Sequence, residues 1–562
     1  MDPLIGLFVV GADDVEMPEV LPPELEEGNI EYKFKLINPT ESRFEHLVTQ
    51  MKWRLQEGDG EAIYEIGVED NGLLTGLTSS ELNGSLNTLT QMAERLGATT
   101  SVIRKKNIKE PYGVTRHVAE VLIRKVPDSQ QFIDLRMAVL GNVDAGKSTL
   151  LGVLTHGEHD NGRGRARLNL FRHLHEIQSG RTSSISHEII GFNSNGELIN
   201  YSESRTAEEI CQNSSKLITL IDLCGHQRYL KTTIFGLTGY SPDFAMLVIS
   251  AKTGLVGTTK EHLGFALALQ VPIVVTVSKT DTCSGSQVNA VISQVEKLLK
   301  SPGCKKVPFR IDTEDDAITA ASHFHNESIC PIFAVSSVTG QNLHLLLKFL
   351  NVLPPMHSTK EREKHIQQHA EHQIDEVYSI QGVGKVAGGT VLRGSIKEGD
   401  QLLLGPDGHG CFHPIKVLSL QRNRLPCRMA TAGQTACISL GNLDLCPLRK
   451  GMVLLSPALQ PSACYEFEAD VYVLFHQSNT YICRGFQVVI HVANVRQTAR
   501  IIKINKNGLR TNMRGVVRIR FNNRPEYLRV GSRLLFREGK TKGMGEITKV
   551  FPYYGDKDLP SR

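Results

Sequence analysis

The sequence has no paired-cysteine motif; its 11 cysteines are scattered and none forms Cys-x-x-Cys. That excludes a zinc ribbon or a disulfide framework and predicts reduced, mostly buried thiols. An unbroken apolar run of membrane-spanning length is also missing, so no membrane association is expected. Residues Met1 to Glu16 are apolar and then acidic. They lack the basic leader of a secretory signal and the Arg/Ser-rich character of a transit peptide, which makes the cytoplasm the expected compartment. Excess charge is scarce too: +4 over 562 residues does not by itself indicate nucleic acid. Its distribution says more, because Pro461 to Arg562 holds 18 Lys+Arg against 8 Asp+Glu. Such a basic module suits a polyanion such as RNA, and it suits a solvated surface equally well.

A chain of this length is too long for one core and fits three or four domains. Residues 1–29 read as a flexible acidic tail. In 30–130, Phe44, Leu47, Val48, Met51 and Leu55 recur at helical spacing, as do Leu82, Leu86, Leu89, Met92 and Leu96. Ala62 to Val68 alternates like a strand, and Val102 and Val118 to Val126 supply more, so a small two-layer α/β domain is predicted. Across 131–356, short apolar runs alternate with helical segments. The runs are Met137 to Leu140, Leu217 to Ile221, Met246 to Ile249, Ile273 to Val277 and Ile332 to Val335. That alternation predicts a doubly wound, mostly parallel sheet. Residues 357–373 read as a charged linker helix. Short strands with turns such as Lys397-Glu-Gly-Asp400 then predict two antiparallel β-barrels, 374–458 and 459–562.

The segment Gly141-Asn142-Val143-Asp144-Ala145-Gly146-Lys147-Ser148 fits G-x-x-x-x-G-K-[ST], follows the predicted strand Arg136 to Leu140 and precedes the apolar helix start Leu150–Leu151; with Thr149 it is expected to bind the nucleotide. Glycines let backbone N–H groups wrap phosphate oxygens at a helix N-terminus. Lys147 then neutralises β/γ-phosphates and Ser148 ligates Mg²⁺. Three later loops together point to guanine, the last two by addressing the base. Asp222-Leu-Cys-Gly225-His226 offers Asp222 to Mg²⁺ through water and the Gly225 N–H to a γ-phosphate. Ser278-Lys279-Thr-Asp281 offers Asp281 to guanine N1 and N2, a pairing adenine lacks. Ser336-Ser337-Val338 can bring a backbone N–H to guanine O6. All four loops follow successive strands at their C-terminal ends, where open α/β sheets bind ligands.

With these motifs, Asp134 to Leu353 resembles the G domain of the translational GTPases such as elongation factor Tu. Ala251 to His262, Ile374 to Asp400 and Phe536 to Gly545 resemble further segments of that family. The N-terminal region and Gly162 to Arg172 resemble its animal subgroup of GTP-binding proteins 1 and 2, the second more than the first. The resemblance implies a P-loop G domain followed by two barrels and preceded by the small α/β domain. It implies GTP/GDP and Mg²⁺ as ligands, and as partners a ribosome and a tRNA or a tRNA-mimicking protein. A monomer is expected.

The resemblance also implies that His226 orients the attacking water beside Lys147; a purely structural hydrogen bond is the plainer reading of a lone His. Ser184 matches the family's Mg²⁺-ligating Thr, with Thr182 serving if the loop shifts. Asp144 matches a cation-assisting Asp, or simply stabilises the turn. Three departures stand out. Ser278 replaces Asn, which predicts weaker nucleotide binding. Arg181-Thr-Ser-Ser-Ile185 replaces Arg–Gly–Ile–Thr–Ile. Ser183 falls where an apolar gate is expected. Arg163, Arg165, Arg167 and Arg172 suit ribosomal RNA phosphates or are solvated. His365, His369 and His372 have i, i+4, i+7 spacing that could seat a metal on one helix face, but they lie in a charged linker. His409, Cys411 and His413 occupy alternating positions of a polar turn that need no ligand, so no metal is expected at either. Order–disorder of the Arg181 and Asp222 loops is the implied switch. A non-ribosomal adaptor acting through its N-terminal domain is the competing function.

Overall fold

The computed structural model describes residues 21–109, 115–127, 133–324, 328–356, 359–442, 447–477, 480–505 and 508–553; residues 1–20, the bulk of the expected acidic tail, lie outside them. The chain divides after Val126 into two compact units.

In the first unit, a four-stranded sheet runs in the order Ile30–Lys33, Glu61–Ile66, Thr115–Lys125, Ala98–Lys109. Its first pair is parallel and the others antiparallel. Helices Glu41–Glu57 and Ser79–Arg95 start at Thr40 and Thr78, whose hydroxyls accept from N–H groups of the first turn. Leu47, Met51, Leu55, Leu82, Leu89 and Met92, the predicted apolar stripes, are buried with Tyr64 and Val121 of the sheet. Residues 24–28, read from sequence as part of a loose tail, instead wrap the buried Arg54. Its guanidinium donates to Glu24 Oε1 at 2.6 Å, Gly28 O at 2.9 Å and Glu31 Oε2 at 2.5 Å. A buried guanidinium must satisfy its donors, and the acidic segment supplies the acceptors.

The second unit opens with an eight-stranded sheet. Its order is Val307–Ile311, Ile329–Ala334, Ile273–Ser278, Phe244–Ser250, Ile133–Gly141, Lys216–Asp222, Ser186–Phe192, Leu198–Ile199. The first six are mutually parallel; the last two pair antiparallel. Strand Phe244–Ser250 is buried along its whole length, as a central strand covered on both faces must be. The predicted linker helix is shorter than its charge pattern suggests. It spans Thr359–Ile366, and His372 lies fully buried on strand Glu371–Ile380, which pairs with Gly384–Arg393 and Val453–Leu455. Sheet pairing overrides the helical pattern there.

The second-domain barrel is an eight-stranded antiparallel sheet, with a two-stranded ribbon of Ser395–Lys397 and Met429–Thr431. A closed six-stranded barrel follows, in the order Glu466–Phe475, Arg514–Phe521, Val495–Ile504, Gln487–Val492, Arg533–Glu538, Thr541–Phe551. Part of its basic excess is locally neutralised: Glu466 pairs with Arg518 and Arg520, and Asp470 with Arg514. Arg136 bonds Thr390 at 2.8 Å, Tyr240 bonds Glu376 at 2.8 Å, Lys542 bonds Glu261 at 2.5 Å and Arg449 bonds Glu526 at 2.9 Å. These contacts join the parallel sheet's domain to both barrels and the barrels to each other. Among the described residues, no helix is long and apolar enough to cross a membrane.

Candidate functional site

The central strand Ile133–Gly141 delivers the Gly-rich loop to the C-terminal edge of the sheet, and helix Lys147–His156 leaves from it. Gly141 has φ +141°, and a Cβ there would run into the Val248 carbonyl of the neighbouring strand, so only glycine fits. The helix begins at Gly146 with no side-chain cap, leaving its first N–H groups free for an anion. Lys147 curls back over the loop; its Nζ donates to Asn142 O at 2.9 Å and Gly141 O at 3.2 Å.

Helix Gly257–Ala268 braces the loop from below, which the sequence did not announce. Thr258 Oγ1 donates to Asn142 Oδ1 at 2.7 Å, and Gly141 N donates to His262 Nδ1 at 3.1 Å. Burial, helped by the Lys147 charge, pushes His262 down to about 3, so its ring is neutral and free to accept.

Three oxygens meet at the start of helix Lys147–His156. Ser148 Oγ donates to Asp222 Oδ2 at 2.5 Å and lies 2.8 Å from Thr182 Oγ1, which itself reaches Asp222 Oδ2 at 3.3 Å. Asp222 is 1% exposed, and its Oδ1 has no hydrogen-bond partner among the described residues. Burial raises the Asp222 pKa against the pull of Lys147, and burial lowers that of Lys147 against the pull of Asp222. Two hydroxyls and a carboxylate with a spare buried oxygen form a hard-oxygen set of the kind Mg²⁺ takes.

Ser184 stands apart from this set. Its Oγ donates to Glu176 Oε1 at 3.0 Å, so Thr182, the alternative sequence position, is the one that meets Ser148 and Asp222. Glu176, on the short helix Leu174–Ser179, was not singled out by any motif. Burial opposes its ionisation, but hydrogen bonds from Ser183, Ser184 and Arg172 overcome that and hold the carboxyl at about 2. Ser183, at the expected gate position, donates to Glu176 and lies 2.7 Å from His175 Nε2.

Gly225 packs against the Lys147 side chain so closely that a Cβ would lie 2.5 Å from Nζ. Next to it His226 is half-buried, its Nδ1 accepting from Arg228 N at 3.0 Å. Val143, Asp144, Gly146, Lys147, Ser148, Thr149, Thr182, Gly225 and His226 line one cleft, together with Arg167 and Arg181. Of the other arginines in the cluster, Arg172 stays exposed, as do Arg163 and Arg165. Asp160 organises their loop by accepting from Gly162, Gly164 and Ala166 N–H groups.

Farther along the sheet edge, Ser278 Oγ donates to Ala145 O at 2.5 Å and to Ile249 O at 3.3 Å. Its hydroxyl thus ties the Gly-rich loop to the sheet. Lys279, with φ +61°, reaches Asp144 O at 2.7 Å. Asp281 Oδ1 accepts from Ser336 Oγ at 2.6 Å, and that hydroxyl accepts from Val338 N at 3.2 Å. Ser337 O accepts from Asp160 N at 2.9 Å. All four sequence loops therefore lie along one edge, with Ser184 the position that turns away. Among the described residues, no group of His, Cys, Asp and Glu is arranged to hold a metal in the manner of a zinc site.

The family model for the elongation factor Tu GTP binding domain matches residues 134–355, and that for elongation factor Tu domain 2 matches residues 384–455. GTP-binding protein 2 of Mus musculus is 60% identical over 95% of this chain and 88% of its own length. GTP-binding protein 1 of Xenopus laevis is 47% identical over 92% of this chain and 78% of its own. Among solved structures, translation elongation factor SelB of Methanococcus maripaludis, in complex with the GTP analogue GppNHp, aligns with a TM-score of 0.52 at 18% identity. That alignment covers 75% of this chain and 80% of the other, a likeness of fold.

Proposed function

This chain belongs to the translational GTPase family, and from that premise we propose that it binds GTP, hydrolyses it, and carries an aminoacyl-tRNA or a tRNA-shaped protein to the ribosome in the cytoplasm. The observation that carries the reading is the meeting of Ser148, Thr182 and Asp222 beside the buried Lys147. Mg²⁺, held by these oxygens, would neutralise charge on the β- and γ-phosphates.

The chain's own groups do the rest. N–H groups of the loop and of the helix start cradle phosphate oxygens, and Lys147 supplies the cation. The Gly225 N–H senses the γ-phosphate. His226, whose Nδ1 accepts from Arg228 N, orients a water for in-line attack once a ribosome positions it; phosphoryl transfer needs placement more than a strong base. Asp281 reads guanine, held in position by the Ser336 hydroxyl. Ser278 braces the loop and offers the base little.

The test is GTP hydrolysis measured with and without ribosomes and aminoacyl-tRNA. Stimulation is expected, and pull-down in a non-hydrolysable GTP analogue then separates charged tRNA from a release-factor-like protein as cargo. No stimulation by ribosomes or their subunits defeats the ribosomal reading. The second reading, a non-ribosomal adaptor working through the N-terminal domain, rests on that domain's being a compact unit with its own core. Failure to cosediment with ribosomes favours it.

A further inference from the structure

Glu176 gathers six hydrogen bonds from two sides. Its Oε2 accepts from Arg172 N at 3.0 Å and His173 N at 3.2 Å, the reach-back of a third-position glutamate to the start of its own helix. Its Oε1 accepts from Ser183 N at 2.6 Å, Ser183 Oγ at 2.8 Å, Ser184 N at 2.9 Å and Ser184 Oγ at 3.0 Å. The side chain is fully buried. One carboxylate thus stitches the segment after helix Leu174–Ser179 onto that helix, and every donor comes from the chain. Thr182, one residue before the stitch, is thereby carried to Ser148 and Asp222.

Two consecutive serines make this possible. A position with an apolar gate residue offers one N–H to such a carboxylate; Ser183 and Ser184 each offer an N–H and an O–H. Hydrogen bonds to an ionised acceptor are about twice as strong as neutral ones. A switch loop held only by phosphate and metal contacts orders and disorders with the nucleotide. A loop held by its own protein carboxylate has a second source of order, unaffected by loss of the γ-phosphate.

We propose that Glu176 is a positioning residue that keeps residues 181–185 closed whichever guanine nucleotide is bound, so that Thr182 stays beside Ser148 and Asp222 in both states. Recognition of the γ-phosphate then falls to the Asp222–His226 loop, where Gly225 lies against Lys147. This rests on the GTP-binding reading above.

Amide hydrogen exchange of the full chain tests it, followed in peptides covering Ser183 and Ser184, with GDP and with a non-hydrolysable GTP analogue, each with Mg²⁺. In the wild type the two amides are expected to exchange alike in both states, within about twofold. Glu176→Gln presents an N–H₂ where one set of donors must be accepted. It is expected to exchange at least about tenfold faster with GDP while keeping protection with the analogue. The double variant Ser183→Ala, Ser184→Ala removes two hydroxyl donors without touching the carboxylate and is expected to fall between. It stands in if Glu176→Gln does not fold.

Wild-type amides that open at least about tenfold on going from analogue to GDP overturn the proposal. So does a Glu176→Gln protein that exchanges as the wild type does in both states. If neither nucleotide protects Gly141 to Ser148, the GTP-binding reading fails, and comparing wild type with variant without nucleotide still decides whether Glu176 holds the loop.

Discussion

The two ends of the sheet edge that carries the four loops are built differently. Lys147 and Asp222 are buried, at 6% and 1% exposure; Lys147 bonds the loop backbone, and Asp222 bonds Ser148 and Thr182 of the switch segment. Around Asp281 the working carboxylate is exposed, fixed by one hydroxyl from Ser336. Electrostatic interactions strengthen where water is excluded and weaken at the surface. The buried end is therefore the place where a single substitution costs most, and the open end is where substitutions are tolerated. Ser278 is the exception at that end: it is buried, and its hydroxyl serves the Ala145 carbonyl, where the resemblance implies an Asn.

The contrast can be broken by experiment. The largest effect is expected at His226. His226→Ala keeps GTP affinity and lowers ribosome-stimulated hydrolysis by on the order of a thousandfold, since a positioned proton-handling group contributes 10²–10⁴. Single-turnover hydrolysis with ribosomes checks it, and undiminished turnover removes His226 from the mechanism. Next comes Lys147→Ala, expected to weaken GTP and GDP binding alike by about a hundredfold through loss of charge-assisted phosphate contacts. Equilibrium titration with a fluorescent guanine nucleotide reads this; a change below threefold would mean that the buried end does not hold phosphate.

At the open end the effects are smaller. Asp281→Asn is expected to cut the preference for guanine over xanthine nucleotides by about tenfold or more, because the amide cannot accept from both guanine donors. Competition binding measures it, and an unaltered preference places base recognition elsewhere. Ser278→Ala should cost least, less than about tenfold in nucleotide affinity, the worth of one neutral hydrogen bond within the protein. If Ser278→Ala instead matches Lys147→Ala, the two ends are equally dependent on buried bonds and the contrast fails.

Much of the fold was legible because periodicity and glycine placement are local. The apolar runs from Met137 to Val335 gave five parallel strands, and Gly141 and Lys147 marked the turn between strand and helix. What escaped the reading was made of contacts distant in sequence. Arg54 is spaced 30 residues from Glu24, which it orders. His262 lies 121 residues from the Gly141 N–H it accepts. His372 reads as part of a charged helix until two strands pair around it. Glu176 is a single acidic residue on a six-residue helix, and no spacing rule marks it.

By itself the sequence determined the family, the order of the four loops and the chemistry that each offers, because residue type and local spacing decide which donors and acceptors exist. Only the tertiary structure decided which of those groups face one another: Thr182 and not Ser184 beside Asp222, and Ser278 turned into the loop. The physical reason is that a hydrogen bond or a burial cost depends on where the rest of the chain packs, and that packing is settled by the whole core at once.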